Sequence, residues 1–395
     1  MNFDKPIDRR GTCSIKWDYL QEIFGDGDIT PMWVADSDFE SPKAVVDAMR
    51  RRAEHGVYGY TKRSDRFYTS IINWLEKRHG WKINKEHIIA TPGVVAAVNW
   101  AVHAFTKEGD KIIVQPPVYF PFYTAVTKNK RELIENNLVL DGGRYFMDFA
   151  HLKSQIDERT KMIILCSPHN PVGRVWTKEE LLELGKICVA NDILIISDEI
   201  HSDLILKGYS HTPIAALSDE IAKRTITLMA PSKTFNIAGL ETSVAITSNP
   251  ELKKKLIDFQ NSIGAGGGNI FGMEAFVAAY EGGEQWLDEQ MEYIEGNFAF
   301  AQKYIAQNMT EIKCIKPEGT YLLWVDCTAL KYKESELKDF FTKKVRVAVN
   351  MGTMFGRDTG RNFVRLNMAT QRAVIEDVLQ RLRQQYDIRM NEMKP

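Results

Sequence analysis

The 395-residue sequence contains few cysteines and no long apolar run. Its five cysteines are widely spread and form no Cys-x-x-Cys pair, which argues against a disulfide framework or a structural zinc site and favours a reducing compartment. No apolar stretch approaches the roughly 20 residues that a membrane-spanning helix needs. The start of the chain also lacks the apolar core of a signal peptide. We therefore expect a cytoplasmic protein with no membrane partner.

An excess of one charge is missing as well. The chain has 51 Lys and Arg residues against 52 Asp and Glu residues. Proteins that hold nucleic acid through its phosphates usually carry a basic excess, so a nucleic-acid partner is not expected. The eight histidines include no His-x-x-x-His pair, and we predict no catalytic metal.

Short apolar runs alternate with helical segments through the middle of the chain. Each run is bounded by turn or polar residues and is apolar at consecutive positions, which is typical of strands that are buried on both faces. Helices between them, such as Lys178–Asn191, imply crossover connections and a mostly parallel sheet. The runs are Ile112–Val114, Met162–Leu165, Ile193–Ile196, Thr225–Leu228 and Val244–Ile246.

The pattern changes near residue 285. Glu284–Asn308 predicts one long helix, which could bridge two domains. Strand and helix candidates follow it, namely strands Tyr321–Val325, Val345–Val349 and Phe363–Leu366 with helices near 334–343 and 371–386. We predict an α/β protein with a large domain over residues 48–285 and a smaller α+β domain formed by residues 1–47 and 286–395.

Polar residues follow four of the predicted strands, where ligands of open α/β sheets bind. They are Tyr119, Asn170, Asp198 and Lys233. A lysine at such a strand end could be desolvated, which lowers its pKa and makes its amine a nucleophile. A carboxylate there could face a cationic ring nitrogen. Each residue alone also fits an ordinary surface or turn position, but four of them at one sheet edge form a more specific signal.

The order and spacing of several motifs resemble those of the fold-type I pyridoxal-phosphate (PLP) enzymes, the aspartate aminotransferase superfamily. The motifs are Asn170-Pro-Val-Gly173, Ser197-Asp198-Glu199, Ser232-Lys233 and Arg365-Leu-Asn367. The resemblance implies a seven-stranded sheet between helices and a PLP cofactor held as a Schiff base on Lys233. It also implies that Asp198 pairs with the pyridine nitrogen, Asn170 bonds the ring hydroxyl and Tyr119 stacks on the ring.

Further roles follow from the same resemblance. Arg365 would clamp the amino-acid carboxylate, for which its planar guanidinium is suited. Ala35 and Asp36 would also belong to the substrate site, and His201 to the cofactor site.

The cofactor phosphate needs donors, and one usual donor is absent. Aminotransferases carry a phosphate-binding Arg where this chain has Glu241. The candidates that remain are the amides of Val94 and Val95 at a helix start, with Ser232 and Tyr60. The family's residue at the Tyr60 position reaches into the neighbouring subunit, so the resemblance implies a homodimer with shared sites.

Longer motifs are similar to those of the MalY/PatB-type C–S β-lyases, which also lack that Arg. The motifs are Met32–Asp36, Tyr58–Thr61, Arg78–Trp81, Pro168–Trp176, Asp198–Asp203 and Ser232–Gly239. The resemblance implies conversion of cystathionine or related sulfur amino acids to a thiol, pyruvate and ammonia. Two alternatives remain open: an aminotransferase on the same scaffold, and a regulatory protein whose lyase activity is incidental.

Overall fold

The computed structural model describes residues 1–266 and 268–394. Its strands are β1 Thr30–Pro31, β2 Ile88–Thr91, β3 Lys111–Val114, β4 Glu132–Glu135, β5 Val139–Asp141, β6 Arg144–Phe146, β7 Thr160–Cys166, β8 Leu194–Asp198, β9 Thr225–Met229, β10 Ser243–Ile246, β11 Lys313–Cys314, β12 Leu322–Asp326, β13 Val347–Ala348, β14 Asn350–Met351 and β15 Phe363–Asn367. Its α-helices are α1 Ile15–Asp18, α2 Leu20–Phe24, α3 Lys43–Glu54, α4 Asp65–His79, α5 Val94–Phe105, α6 Pro121–Thr127, α7 Phe149–Gln155, α8 Lys178–Ala190, α9 Asp219–Ala222, α10 Pro250–Ser262, α11 Ile270–Gly282, α12 Glu284–Asn308, α13 Glu334–Asp339 and α14 Arg372–Glu392.

A seven-stranded sheet forms the centre of the molecule, in the order β2-β10-β9-β8-β7-β3-β4. Strand β10 runs antiparallel to both of its neighbours, and the other pairs are parallel. The predicted α/β class with a mostly parallel seven-stranded sheet is therefore confirmed. Because β7, β8 and β9 are adjacent and parallel, the loops that follow them meet at one edge of the sheet.

The five apolar runs all correspond to strands of this sheet, although Ile193 lies just before the start of β8. Residues of β8 and β9 are buried along their whole length, since helices cover both faces of the sheet. The two outermost strands, β2 and β4, were not predicted. Strand β4 has the sequence Glu-Leu-Ile-Glu with exposed ends, and its apolar pair is too short to stand out from a helix pattern.

A four-stranded antiparallel sheet, β11-β12-β15-β14, lies in the C-terminal part of the chain. The long helix α12 precedes it and has the bounds that the sequence predicts. The predicted strand Val345–Val349 is too long, because α13 continues into a π-helical turn, Phe340–Val345, and β13 begins only at Val347.

The N-terminal segment contacts this C-terminal part. Strand β1 pairs in parallel with β13, with Thr30 opposite Val347. The domain bounds given above stay a prediction. In the described residues, we find no helix whose length and apolar character would let it cross a membrane.

Candidate active site

A cavity of about 410 Å³ lies at the carboxyl edge of the seven-stranded sheet. The segments that line it follow β1, β2, β3, β7, β8 and β9 in the chain, so the sheet brings together residues that are distant in sequence. The predicted site residues among them are Ala35, Val94, Val95, Tyr119, Asn170, Asp198, His201, Ser232 and Lys233.

Lys233 is positioned in the loop that follows β9. Its Nζ atom donates a hydrogen bond of 2.8 Å to the carbonyl oxygen of Ala35. Burial lowers the pKa of Lys233 below its usual value, although the charges of Asp36 and Asp198 oppose this shift. A larger share of the amine is therefore neutral at a given pH, as a nucleophile or a proton acceptor requires.

Asp198 is the last residue of β8 and lies opposite Cys166 of β7. Its Oδ1 atom accepts a hydrogen bond of 3.1 Å from the amide of Ile200. Burial raises the pKa of Asp198 to about 7, and this effect exceeds the opposing effects of the Ile200 amide and the Lys233 charge. A cation that enters the cavity would therefore meet an acid whose ionised form lacks a full set of partners.

Arg365 lies in β15 next to this cavity rather than among its lining residues. Its Nη1 atom donates to Asn170 Oδ1 at 3.0 Å, and Nη2 donates to Asn350 Oδ1 at 2.6 Å and to the Trp33 carbonyl at 2.7 Å. The guanidinium also stacks over the Phe355 ring, 4.8 Å from its centroid.

One donor of this guanidinium remains available. Arg365 Nε is buried and finds no hydrogen-bond partner among the described residues. Burial lowers the pKa of Arg365 to about 10, so the group stays cationic at neutral pH. An unpaired buried donor on a cation favours an incoming anion such as a carboxylate.

The other end of the cavity is the N-terminus of α5. Val94, Val95 and Ala96 line the cavity here, and the first amides of a helix have no intrahelical acceptor. Gly93 precedes the helix, and a Cβ atom added to it would meet no protein atom within 4 Å. This open helix terminus suits a phosphate group, although the carboxylate of Glu241 also lines the cavity.

The structure does not bring every predicted residue into the cavity. Tyr60 is fully exposed and does not line it. The Asp36 carboxylate is bound by Arg9 at 2.6 Å and by Lys16 at 3.5 Å, while its neighbour Ala35 lines the cavity. The roles of Tyr60 and Asp36 therefore stay predictions.

Sequence reasoning missed Tyr321, whose hydroxyl donates a hydrogen bond of 2.8 Å to the Ala35 carbonyl. This carbonyl is the one that Lys233 also contacts. Tyr321 precedes β12, in an apolar run without any motif, and only the folded chain places it beside the lysine. Cys166 lines the cavity too and is buried; its residue type gave no reason to expect this.

The donor set has a clear chemical preference. It combines an amine with a lowered pKa, a carboxylate with a raised pKa, the Tyr119 ring and an open helix N-terminus. A planar ligand with an aldehyde, a basic ring nitrogen and a phosphate, as in PLP, would find a partner for each group. In the described residues, no cluster of His, Cys, Asp and Glu could hold a metal ion.

Comparison with known proteins places this cavity in context. The family model Aminotransferase class I and II matches residues 29–382. Cystathionine beta-lyase PatB of Bacillus subtilis (strain 168) is 44% identical over 97% of this chain and 99% of its own.

Two solved structures resemble the whole chain. A PLP-bound protein of Clostridium difficile 630, which carries a provisional aminotransferase assignment, has a TM-score of 0.96 and 45% identity, covering 98% of this chain and 99% of its own. Cystalysin from Treponema denticola, with a pyridoxal 5′-phosphate cofactor, has a TM-score of 0.95 and 35% identity, covering 100% of this chain and 99% of its own.

Proposed function

Because the chain belongs to the aminotransferase class I and II family, we propose that it is a PLP-dependent C–S β-lyase. It would convert cystathionine or a related sulfur amino acid to a thiol, pyruvate and ammonia. The observation that carries this proposal is the placement of the partly buried Lys233 amine in one cavity with Asp198 and Asn170. The full-length similarity to a cystathionine β-lyase favours the lyase reaction over transamination.

Asp198 and Lys233 are the residues that would hold the cofactor. PLP supplies an electron sink for the negative charge that develops on the substrate α-carbon. Asp198 supports this chemistry by keeping a proton on the ring nitrogen, since the ionised carboxylate and the cationic ring stabilise each other. Lys233 would hold the cofactor covalently through Nζ.

Lys233 is also the group that would move the α-proton. Its lowered pKa allows the free amine to be neutral and to accept a proton. The Ala35 carbonyl accepts one N–H of this amine, and Tyr321 donates to the same oxygen. These contacts fix the direction of the Lys233 side chain, which is what a proton transfer at a defined atom requires.

Arg365 would bind the substrate carboxylate. Its bonds to Asn170 and Asn350 hold the guanidinium rigid, and its Nε donor is free for the substrate. A fixed carboxylate limits rotation of the substrate and directs the α-proton toward Lys233. Asp36 would contribute to the substrate site indirectly. Its carboxylate is bound by Arg9, and this bond would hold the neighbouring residue Ala35 in place.

A direct experiment combines three measurements on the purified protein. We expect a visible absorbance band, pyruvate release from cystathionine, and a pyridoxyl adduct on Lys233 after borohydride reduction and peptide mass mapping. Pyridoxamine phosphate accumulating without pyruvate would indicate an aminotransferase instead. An adduct on another lysine, or none, would contradict the proposal.

The homodimer is also part of the proposal. Tyr60 is fully exposed, and Val57 and Tyr58 beside it are more than half exposed. Large apolar side chains grouped in this way often mark an interface. In a two-fold dimer, Tyr60 would complete the partner's site. Mixing Tyr60→Ala with Lys233→Ala protein should then restore part of the activity, whereas activity that never rises above that of the separate variants would refute shared sites.

We also propose that the protein works in the cytoplasm. All five cysteines are free, and three of them are buried. Free thiols in such number fit a reducing compartment. Fractionation of cells that express the protein would test this, and recovery outside the cytoplasmic fraction would contradict it.

A further inference from the structure

A buried polar network involves the segment that follows β8, and its residues are not among those that line the cavity. It contains two carboxylate–histidine pairs. Asp203 Oδ1 lies 3.0 Å from His79 Nε2, and Glu199 Oε2 lies 2.8 Å from His211 Nε2. The two imidazole rings are nearly perpendicular, with centroids 5.4 Å apart. All four side chains are almost completely buried.

Asp203 connects this network to the reactive lysine. Its Oδ1 atom also accepts a hydrogen bond of 3.0 Å from Trp74 Nε1. Its Oδ2 atom accepts a hydrogen bond of 3.1 Å from the hydroxyl of Thr234, the residue that follows Lys233. Both oxygens of the carboxylate are thus engaged, one by α4 and one by the lysine loop.

The charge of Asp203 is well supported at this position. Burial opposes ionisation, yet hydrogen bonds and charge from His79 and the bond from Trp74 hold the pKa of Asp203 below its usual value. The buried hydroxyl of Thr234 donates its hydrogen bond to the Asp203 carboxylate, so this bond is charge-assisted.

Glu199 is connected to Asp198 in the same indirect way, through a bond to a neighbouring residue. It follows Asp198 directly, but it contacts His211 and does not line the cavity. Glu199 Oε1 accepts a hydrogen bond of 2.8 Å from Ser197, the residue before Asp198, and a longer one of 3.3 Å from the amide of Ile214. Together with His211, these bonds hold the end of β8.

We propose that the two carboxylate–histidine pairs are positioning groups for the reaction: Asp203 fixes Lys233 through Thr234, and Glu199 fixes Asp198. This inference rests on the proposed function, because it assumes that Lys233 and Asp198 act on the cofactor. The network touches neither cofactor nor substrate, and its effect is on the distance and direction between the amine and the acid. Small displacements of such groups are costly to a reaction that needs close alignment.

The hydroxyl of Thr234 gives the sharpest test. Thr234→Val keeps the shape of the side chain and removes the hydroxyl, so that Asp203 Oδ2 loses its partner. Thr234→Ser keeps the hydroxyl and is the matched control. For each protein we would measure the dissociation constant of PLP from the cofactor-free chain, the fraction of Lys233 trapped by borohydride, kcat, KM and the melting temperature.

For Thr234→Val we expect PLP binding to weaken about tenfold, because a displaced Lys233 amine would form its link to the cofactor less favourably. The trapped fraction of Lys233 and kcat should fall, while KM changes little because Arg365 lies on another element. Thr234→Ser should restore PLP binding, the trapped fraction of Lys233 and kcat to the wild-type values. If Thr234 had only a structural role, Thr234→Val would have a lower melting temperature, but the two variants would not differ in PLP binding or kcat.

A second pair of variants covers the case in which Thr234→Val does not fold. His79→Gln keeps a donor for Asp203, and His79→Leu removes it. We expect weaker PLP binding and lower kcat in His79→Leu than in His79→Gln; equal values in the two would overturn the positioning role. If wild-type Lys233 is not trapped at all, the proposed function fails. If it is trapped and the matched variants do not differ, only the positioning role fails.

Discussion

Asp198 and Asp203 are two buried carboxylates only five residues apart, and their surroundings have opposite effects on them. Asp198 faces the cavity and has a single backbone donor, the amide of Ile200, and its pKa is raised to about 7. Asp203 belongs to the carboxylate–histidine network and has three side-chain donors, and its pKa lies below the usual range. Burial is common to both, so the number of partners decides the direction of the shift.

The difference separates a group that is ready to react from one that holds the structure. A buried acid without partners gains most when a cation arrives, which is the behaviour expected of a cofactor-binding residue. A buried acid whose partners are already in place loses if any of them is removed. The first should therefore control chemistry, and the second should control stability and alignment.

The strongest way to sharpen this comparison is Asp198→Asn. The amide cannot hold a proton on the ring nitrogen, so we expect kcat to fall at least about 10³-fold, or about 4 kcal/mol in the barrier. The cofactor-free variant should melt at the same temperature as the wild type or higher, since a poorly matched acid is replaced by a neutral group. Steady-state kinetics and thermal unfolding check both parts; near-normal turnover would refute the role of Asp198.

The pH dependence of stability should also differ between the two acids. With a folded-state pKa of about 7 against a usual 3.8, Asp198 keeps its proton in the folded state while the unfolded chain releases it. Its contribution is therefore complete below pH 4 and is lost as the pH rises to 7, by up to about 4 kcal/mol. Asp203 has the reverse sign: its contribution is present above pH 4 and is lost as the pH falls below that value.

Urea unfolding of the cofactor-free protein at several pH values between 4 and 7 would measure this loss. The free energy of unfolding of the wild type should fall with pH relative to that of Asp198→Asn, which has no titrating group at this position. Parallel curves for the two proteins would mean that burial does not raise the pKa of Asp198.

Asp203→Asn should show the opposite balance. The substitution removes the charge that His79, Trp74 and Thr234 surround, and we expect the free energy of unfolding to fall by about 3 kcal/mol. Chemical denaturation of the cofactor-free protein would measure this, with Asp198→Asn as the matched control. A variant as stable as the wild type would remove the contrast between the two acids.

The smallest effect is expected from Arg365→Ala, which tests the proposed carboxylate clamp next to the cavity. Loss of the carboxylate contact should raise KM about 30-fold, equivalent to about 2 kcal/mol, with a smaller change in kcat. Arg365→Lys keeps the charge without the Nε donor of the planar guanidinium and should recover part of this loss. An unchanged KM in Arg365→Ala would refute the carboxylate clamp.

The central sheet could be predicted from the sequence because its strands are apolar on both faces. The five runs that we identified correspond to β3, β7, β8, β9 and β10. Edge strand β4 and the short hairpin β5–β6 were not predicted, because their mixture of charged and apolar residues resembles that of an exposed helix or loop. The order of the strands in the sheet is a tertiary property that the pattern does not contain.

The residues at the strand ends could be predicted as one group because parallel strands end at the same edge. Asn170, Asp198 and Lys233 do line one cavity. Side-chain partners could not be predicted in the same way. Asp36 is held by Arg9 and Lys16, and Tyr321 shares a carbonyl with Lys233, through contacts between segments that are far apart in sequence.

Strand β8 ends at Asp198, and the next residue in the chain is a second acid, Glu199. Asp198 lines the cavity, whereas Glu199 contacts His211 in the carboxylate–histidine network. Inserting or deleting one residue at this point would displace both acids at once and would give each the wrong surroundings. Variation between relatives should therefore accumulate in the loops and helices around this strand, while its length stays fixed.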